Sequence, residues 1–319
     1  MIVFYQVMQA TFVVAIPLMI VALGGLFSER SGVTNIALEG IMIFGAFFGI
    51  WAVQVLEVNQ GLSVQMLYVI AVVVAGITGT LYSMLHGYAS IYMKSNQIIS
   101  ATALNLFAIA FVTFIARTTQ GGSQIQYSSR FIINRFPVLH RIPVIGDIFF
   151  RQMYISLIFG IIFLITTIVV MYKTRLGLRI RACGENPHAA DSLGINIYRL
   201  RFLAVSLSGL LAGIGGVTFM TNTSTEYAPT VAGFGFLAIA VLIFGNWKPH
   251  FIALAAIFFA FMRVLGSYYS NIPFLRELGI PRDFFRMTPY IATIIVLAIF
   301  SKSSRAPKAL GQIYDQGRR

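Results

Sequence analysis

The chain has 319 residues, of which 58% are hydrophobic and only 10% charged, with a mean hydropathy of +0.82. Soluble domains carry about 25% charged residues, so the composition excludes a soluble globular protein and implies a membrane-embedded one. The formal net charge of +13 is read as a record of membrane topology, and no nucleic-acid partner is expected.

About 20 helical residues cross a hydrocarbon core of ~30 Å. The expected fold is therefore all-α, a polytopic transmembrane helical bundle with about nine membrane segments, eight to ten being possible. The segments are 9–27, 34–56, 65–93, 97–116, 154–172, 202–221, 233–247, 249–268 and 286–301. Two of them, 233–247 and 286–301, are short, because fifteen residues reach only about 22 Å. They are either broken helices lining a cavity or full spans whose ends lie further out. The first basic residue is Arg30, so no cleavable signal peptide is expected.

Segment 34–56 carries Asn35 and, four residues into an apolar run, Glu39. An ionisable group inside a membrane segment costs at least ~2.5 kcal/mol on insertion scales. Glu39 therefore either lines a pathway or a helix break, accepting bonds from exposed N–H groups, or sits at the headgroup boundary reaching water or Arg30. Segment 97–116 opens with a second polar cluster, Asn96, Gln97, Ser100, Thr102 and Asn105. These side chains either line a route for a hydrogen-bonding solute or fasten helices together, at roughly 1 kcal/mol per contact. Phe47, Phe48, Trp51, Phe234 and Phe236 have faces on which a nucleobase can stack, although membrane interiors are rich in aromatics anyway. The small residues of SLSGLLAGIGG (Ser206 to Gly216) suit close helix packing. Arg263, inside segment 249–268, either snorkels, pairs, or marks a misplaced boundary.

Lys and Arg set orientation. The loop 173–201 holds Lys173, Arg175, Arg179, Arg181, Arg199 and Arg201, and the tail holds Lys302, Arg305, Lys308, Arg318 and Arg319. Both are expected in the cytoplasm, and nine crossings then put the amino terminus outside. The loops 57–64 and 222–232, expected outside, contain no Lys or Arg. The loop 117–153 is also expected outside, against its five arginines, Arg117, Arg130, Arg135, Arg141 and Arg151. It is either a surface for an external partner or a connector.

Within the basic loop 173–201 lies a polar island, ENPHAADSLGIN (Glu185 to Asn196). Asn186 can cap orphan N–H groups, Pro187 fits a first helical position, and Gly194 stands where a helix stop belongs. The PHAADSL run between makes about two turns, too short to be stable alone in water. Either it is an ordinary structured loop, or a partner props it.

Here the chain resembles a known family. GLRIRACGENPHAADSLGINIYRLRFLAVSLSGLLAGIGG (Gly177 to Gly216) is similar to the cytoplasmic coupling segment of ABC-importer permeases, of the branched-chain amino acid, ribose and nucleoside group. ALGGLFSERSGVTNIALEGIMIFGAF (Ala22 to Phe47) resembles the shorter of two paired permeases in bacterial nucleoside importers. QIISATALNLFA (Gln97 to Ala108), GFGFLAIAVLIFGNWKP (Gly233 to Pro249) and MTPYIATIIVLAIF (Met287 to Phe300) extend the likeness over most of the chain. The older coupling-loop consensus appears only loosely, as Ala189, Ala190 and Gly194.

The resemblance implies one transmembrane permease domain over 1–319, in the bacterial inner membrane, importing nucleosides or another small polar solute such as a simple sugar. It implies that Glu185, Asn186, Pro187, His188, Ala189, Ala190, Asp191, Ser192, Leu193 and Gly194 dock on a cytoplasmic ABC ATPase, flanked by Arg179 and Arg181. A homologous second permease and an extracytoplasmic solute-binding protein complete the expected partners. The candidates for lining a pathway are Asn35, Glu39, Asn96, Gln97, Ser100, Thr102, Asn105, Phe234 and Phe236.

No G-x-x-x-x-G-K-[ST] loop occurs, so ATP and Mg are expected in the partner and no cofactor on this chain. An ATP-independent carrier is the alternative, but only Glu39 and Arg263 qualify as its intramembrane ionisable groups. A membrane enzyme needs convergent acids, histidines or a metal. His86, His140, His188 and His250 are dispersed, and no metal site is expected. The lone Cys183 excludes an internal disulfide and reads as an inert small residue.

Overall fold

Among the described residues, seven helices are long and apolar enough to cross a membrane. The computed structural model describes residues 2–57, 61–129, 131–135, 151–268 and 306–317, with the isolated positions 284, 287, 291 and 294. In chain order the spans are α1 (Ile2–Arg30), α2 (Leu38–Glu57), α3 (Val64–Gly87) and α4 (Gln97–Gln120), then, after three short strands, α5 (Ser156–Lys173). Two short helices follow, α6 (Arg175–Glu185) and α7 (Pro187–Ser192), before α8 (Ile197–Thr223), the half-length α9 (Phe234–Phe244) and α10 (Pro249–Tyr268). A π-helical turn, Tyr88–Tyr92, prolongs α3. The strands are β1 (Ile125–Gln126), β2 (Ile132–Arg135), β3 (Arg151–Tyr154) and, after α8, β4 (Glu226–Tyr227). Strand β1 pairs antiparallel with β4, and β2 with β3.

These spans match seven of the nine expected segments, and this is a multi-pass membrane protein. The expected segment 233–247 contains only the 11 residues of α9, about 16 Å of helix. The expected segment 286–301, apart from the isolated positions 287, 291 and 294, and residues 130 and 136–150 of the loop 117–153 lie outside the described residues. The part of that loop that is described is not all loop, since α4 continues to Gln120 and is closed by Gly121 in the left-handed conformation.

Helices α1, α2 and α8 form the centre. Every residue of α8 from Leu211 to Asn222 is buried, and its small residues are the reason. A side chain on Gly213 would run into the carbonyl of Ala75 in α3, and one on Gly79 into the carbonyl of Gly209. Without a hydrophobic force between helices in lipid, such close backbone approach is what holds them together. Outer helices show apolar faces to their surroundings instead. Val69, Val73, Ile77 and Leu81, spaced one turn apart on α3, are all exposed, as a lipid-facing stripe requires.

The bundle has two distinct ends. At one, Ala309 N–H donates to the Gly184 carbonyl at 2.8 Å and Gly311 N–H to the Gly32 carbonyl at 3.0 Å. The end of α1, α6, α7 and residues 306–317 therefore share that end. At the other, Glu57 accepts the N–H groups of Ser128 and Ser129, beside the β1–β4 pair. The start of α1 lies at this second end, because its 29 residues span roughly 43 Å.

Residues 222–232, expected as an external loop, reach this second end at β4 and then turn inward. Tyr227 is fully buried, with its hydroxyl donating to the Ile43 carbonyl at 3.2 Å and its ring 5.6 Å from Phe47. After α8 the chain thus turns back into the bundle in extended form and becomes helical only at Phe234. The absence of Lys and Arg from 222–232 agrees with an external loop, but it equally suits a backbone that must descend beside α2.

Candidate functional site

Helix α7 forms where its local chemistry predicts. Asn186 Oδ1 accepts the Ala189 N–H at 3.1 Å, Pro187 takes the first position, and Gly194 adopts φ +79°. Only Pro187 and Ala190 of the helix are buried. Glu185, Asn186, His188, Ala189, Ser192, Leu193 and Gly194 are exposed, and Asp191 partly so. Leu193 is 82% exposed, an apolar knob that none of the described residues covers. The preceding helix α6 carries Arg179, exposed, and Arg181, whose guanidinium lies 5.3 Å from the Tyr172 ring centroid.

The intramembrane candidates converge on two breaks in helical structure. The first is the non-helical stretch from Ser31 to Ala37, which feeds α2. Asn35 Nδ2 donates to Ser208 Oγ at 3.0 Å, and Ser208 lies about 17 Å along α8 from its start. This stretch therefore dips into the bundle, where its backbone groups have no water to bond and need protein partners. Gln97 Oε1 accepts the Thr34 N–H at 2.7 Å. Asn105 Oδ1 accepts the Gly40 N–H at 2.7 Å, and its Nδ2 donates to the Ile36 carbonyl at 3.0 Å. His86 Nε2, 3.0 Å from the Thr34 carbonyl, is the donor there because a carbonyl can only accept, and Ser100 Oγ lies 2.9 Å from the other ring nitrogen.

The second break is the start of α9, and Glu39 holds it. Oε1 accepts the Gly233 N–H at 2.9 Å and Oε2 the Gly235 N–H at 2.6 Å. A carboxylate at a helix N-terminus meets both unpaired N–H groups and the positive end of the helix dipole. Gly235 is needed for this approach, since a side chain there would overlap the Glu39 backbone. Phe234 is buried against Phe219, with ring centroids 4.2 Å apart, and the Arg263 guanidinium lies 4.5 Å from its ring centroid. Arg263 thus sits within α10, stacked on an aromatic face as cations favour. Phe236, two residues on, is 51% exposed.

Asn35, Glu39, Gln97, Ser100, Asn105 and Phe234 are thereby brought together around the two breaks. Asn96 and Thr102 are not. Asn96 caps α4, accepting the N–H groups of Ile98 and Ile99, and Thr102 is exposed with its hydroxyl donating to the Ile98 carbonyl of its own helix. Glu39 does not reach Arg30. That guanidinium donates to the Trp247 carbonyl through Nη2 at 2.9 Å and Nε at 3.2 Å, and lies 4.0 Å from Glu185. Glu29 accepts the Trp247 indole N–H at 2.6 Å. The α9–α10 corner, where Asn246 and Trp247 take positive φ, is in this way fastened to the end of α1 beside α7. Among the described residues no group of three His, Cys, Asp or Glu side chains could hold a metal ion.

The sequence model of the family described as branched-chain amino acid transport system / permease component matches residues 7–299. This chain belongs to that family. The permease is 38% identical over 315 residues to the guanosine ABC transporter permease protein NupQ of Bacillus subtilis (strain 168), covering 98% of this chain and 97% of that one. It is 39% identical to the nucleoside ABC transporter permease protein NupC of Lactococcus lactis subsp. cremoris (strain MG1363), with 93% of each chain covered. A second protein of that strain, the nucleoside ABC transporter permease protein NupB, is 25% identical over 92% of this chain and 81% of its own.

Several residues of the permease that tie the site together were invisible to sequence reasoning. Arg201 reads only as one of the basic residues of the loop 173–201, and Glu29 and Trp247 draw no reading of their own, because their partners are more than 100 positions away. Adjacent acidic and basic residues closing an apolar run, as at Glu29-Arg30, are the one signal that could have marked the corner. Cys183 packs beneath the α6–α7 junction, fully buried, and burial pushes its thiol up while Arg201 opposes the shift. A maleimide at neutral pH should leave Cys183 unmodified in the folded permease and label it after denaturation in SDS, read by mass shift; equal labelling in both states would contradict this packing.

Proposed function

We propose that this permease is the membrane subunit of an ATP-driven importer for nucleosides, working by alternating access as one transmembrane domain over residues 1–319. The observation that carries the solute class is the near full-length likeness, at 38% and 39% identity, to relatives named for guanosine and nucleoside transport. On this reading α7 is the handle held by a separate cytoplasmic ATPase, which binds ATP and Mg, since this chain has no phosphate loop. Leu193, exposed beside a two-turn helix, suits a groove of another protein better than water. The end bearing α7 and residues 306–317 is then cytoplasmic, and the start of α1 faces outward.

A homologous second permease completes the pathway, a pairing supported by the two relatives from one Lactococcus strain. The two helix breaks are the pathway's wall, with Asn35, Glu39, Gln97, Ser100, Asn105, Phe234 and Phe236 around them and Asn96 and Thr102 at its margin. Non-helical backbone at membrane depth occurs where protein or a wet cavity covers it, not lipid. At the outward end, a cavity of about 400 Å³ lined by Ser129, Phe131, Thr221, Asn222, Thr225 and Glu226 suits a hydroxyl-rich solute delivered by a binding protein. ATP shifts which side is open through its differential affinity for the two states.

Gentle affinity purification from the native membrane should bring down an ATPase and a second permease, and the reconstituted complex with its binding protein should take up labelled guanosine or uridine in preference to glucose. Preference for glucose would replace the solute assignment. A chain that purifies alone and moves solute without ATP would replace the importer by a secondary carrier.

A further inference from the structure

Residues 306–317 cross the end of the bundle that carries α7, and they are fastened there at several points. Ala309 donates to the Gly184 carbonyl, just before the α7 cap, and Gly311 to the Gly32 carbonyl. The buried Arg201 donates from Nη1 to the Gln312 carbonyl at 2.9 Å and from Nε to the Ser31 carbonyl at 3.1 Å. Lys94 Nζ pairs with Asp315 at 3.0 Å. Between these ties Tyr314 is 5% exposed, its ring centroid 5.2 Å from His188 of α7 and 5.4 Å from Tyr198 at the start of α8. Gln316 Nε2 reaches Asp191 of α7 at 3.4 Å.

Helix α7 has six residues and buries only two of them. So short a helix has no stability of its own in water, and any push on it is transmitted only as well as its supports are rigid. Tyr314 is a large aromatic wedge lying against it from the side. Next to that wedge, Ile313 is 48% exposed at an end of the molecule that also shows Lys94, Asp315 and Gln316 to water. Exposed apolar side chains set in a polar rim are the usual makings of an interface centre.

We propose that residues 306–317 are a working part of the coupling site: Tyr314 is a positioning residue that holds α7 in register, and Ile313 gives the same cytoplasmic ATPase a second apolar contact in addition to Leu193. This rests on the reading of α7 as the ATPase-docking helix, and continuity with that surface is what selects the ATPase as the occupant.

The test uses the complete reconstituted transporter and reads solute moved per ATP hydrolysed, with retention of the ATPase on purification as a second readout. Tyr314→Ala and Ile313→Glu should each lower solute per ATP about tenfold or more, the scale of losing a packed interface anchor. Tyr314→Phe, which keeps the ring, should restore coupling. Leu193→Asp, at the exposed tip of the α7 turn, serves as the reference. If Leu193→Asp uncouples while Tyr314→Ala and Ile313→Glu behave like the parent, this inference is overturned and the α7 reading stands. If Leu193→Asp has no effect either, the α7 reading itself fails. Should Tyr314→Ala fail to accumulate, the surface variant Ile313→Glu decides, and normal coupling in it overturns the proposal.

Discussion

Glu39→Leu should leave the permease strongly destabilised and unable to transport, with Glu39→Gln between it and the parent. In the parent, two carboxylate oxygens take the N–H groups of Gly233 and Gly235 at the start of α9. Leucine fits the space but accepts nothing, so two buried donors lose their partners. Each such group costs about 1–3 kcal/mol, giving roughly 2–6 kcal/mol for the pair, a large part of a typical domain's stability of about 5–15 kcal/mol. Glutamine keeps one acceptor oxygen but turns an NH₂ group toward the other N–H, so only one bond survives. Thermal unfolding in detergent should rank parent above Gln above Leu, and uptake should follow. A Leu variant as stable as the parent would mean that water or other groups satisfy Gly233 and Gly235.

The choice of a carboxylate follows from where the break lies. Chain leaving α8 must travel back into the bundle before α9 begins, so the first N–H groups of α9 open roughly 16 Å from the corner at its other end. Ser or Asn capping from within the chain, as at Asn96 and Asn186, meets the orphan donors of a helix that starts near water. At depth, a charged acceptor on a neighbouring helix gives stronger bonds and also ties α9 to α2. The Ser31–Ala37 break is handled differently, by the side-chain amides of Asn35, Gln97 and Asn105 and the ring of His86. Polar residues in this membrane interior are thus the partners of non-helical backbone first, and any contact with solute is made around that framework.

Legibility in the sequence followed the range of the interactions. Apolar length alone marked seven spans, because each is a local property of about 20 residues. The α7 cap, Pro187 and Gly194 were legible for the same reason, since capping acts within four residues. Glu39 announced itself through its cost but left two readings open, a headgroup-boundary residue reaching water or Arg30 and an acceptor for exposed N–H groups; its bonds are of the second kind, to Gly233 and Gly235, which lie almost 200 positions on. The inward turn of residues 222–232 was not legible, because an extended segment without Lys or Arg looks alike in a loop and beside a helix. Residues 306–317 were read only for their charge, yet their ties to Gly32, Gly184 and Arg201 run mostly through backbone carbonyls, which leave no trace in side-chain identity.

Ala190→Arg and Arg30→Ala should both separate ATP hydrolysis from transport, by different routes. Ala190 is 3% exposed on the inner side of α7, and overpacking such a site costs about 1–3 kcal/mol before the charge is counted. The helix should lift from its seat while the spans, far along the bundle, insert normally. Arg30 acts one step further on. Its guanidinium faces Glu185, just before α7, and donates twice to the Trp247 carbonyl at the α9–α10 corner. Removing it cuts the polar tie between the handle and the half-helix whose far end Glu39 holds. A coupling free energy of 1–3 kcal/mol corresponds to about 5–150-fold, so solute moved per ATP should fall by about tenfold or more in Arg30→Ala, with hydrolysis by the assembled complex largely kept. Arg30→Lys keeps a charge but not the two-pronged donation and should recover only part of the loss. Full coupling in Arg30→Ala would show that movement of α7 reaches the helix breaks by another route, with α8, continuous from beside α7 to the opposite end of the bundle, as the remaining rigid element.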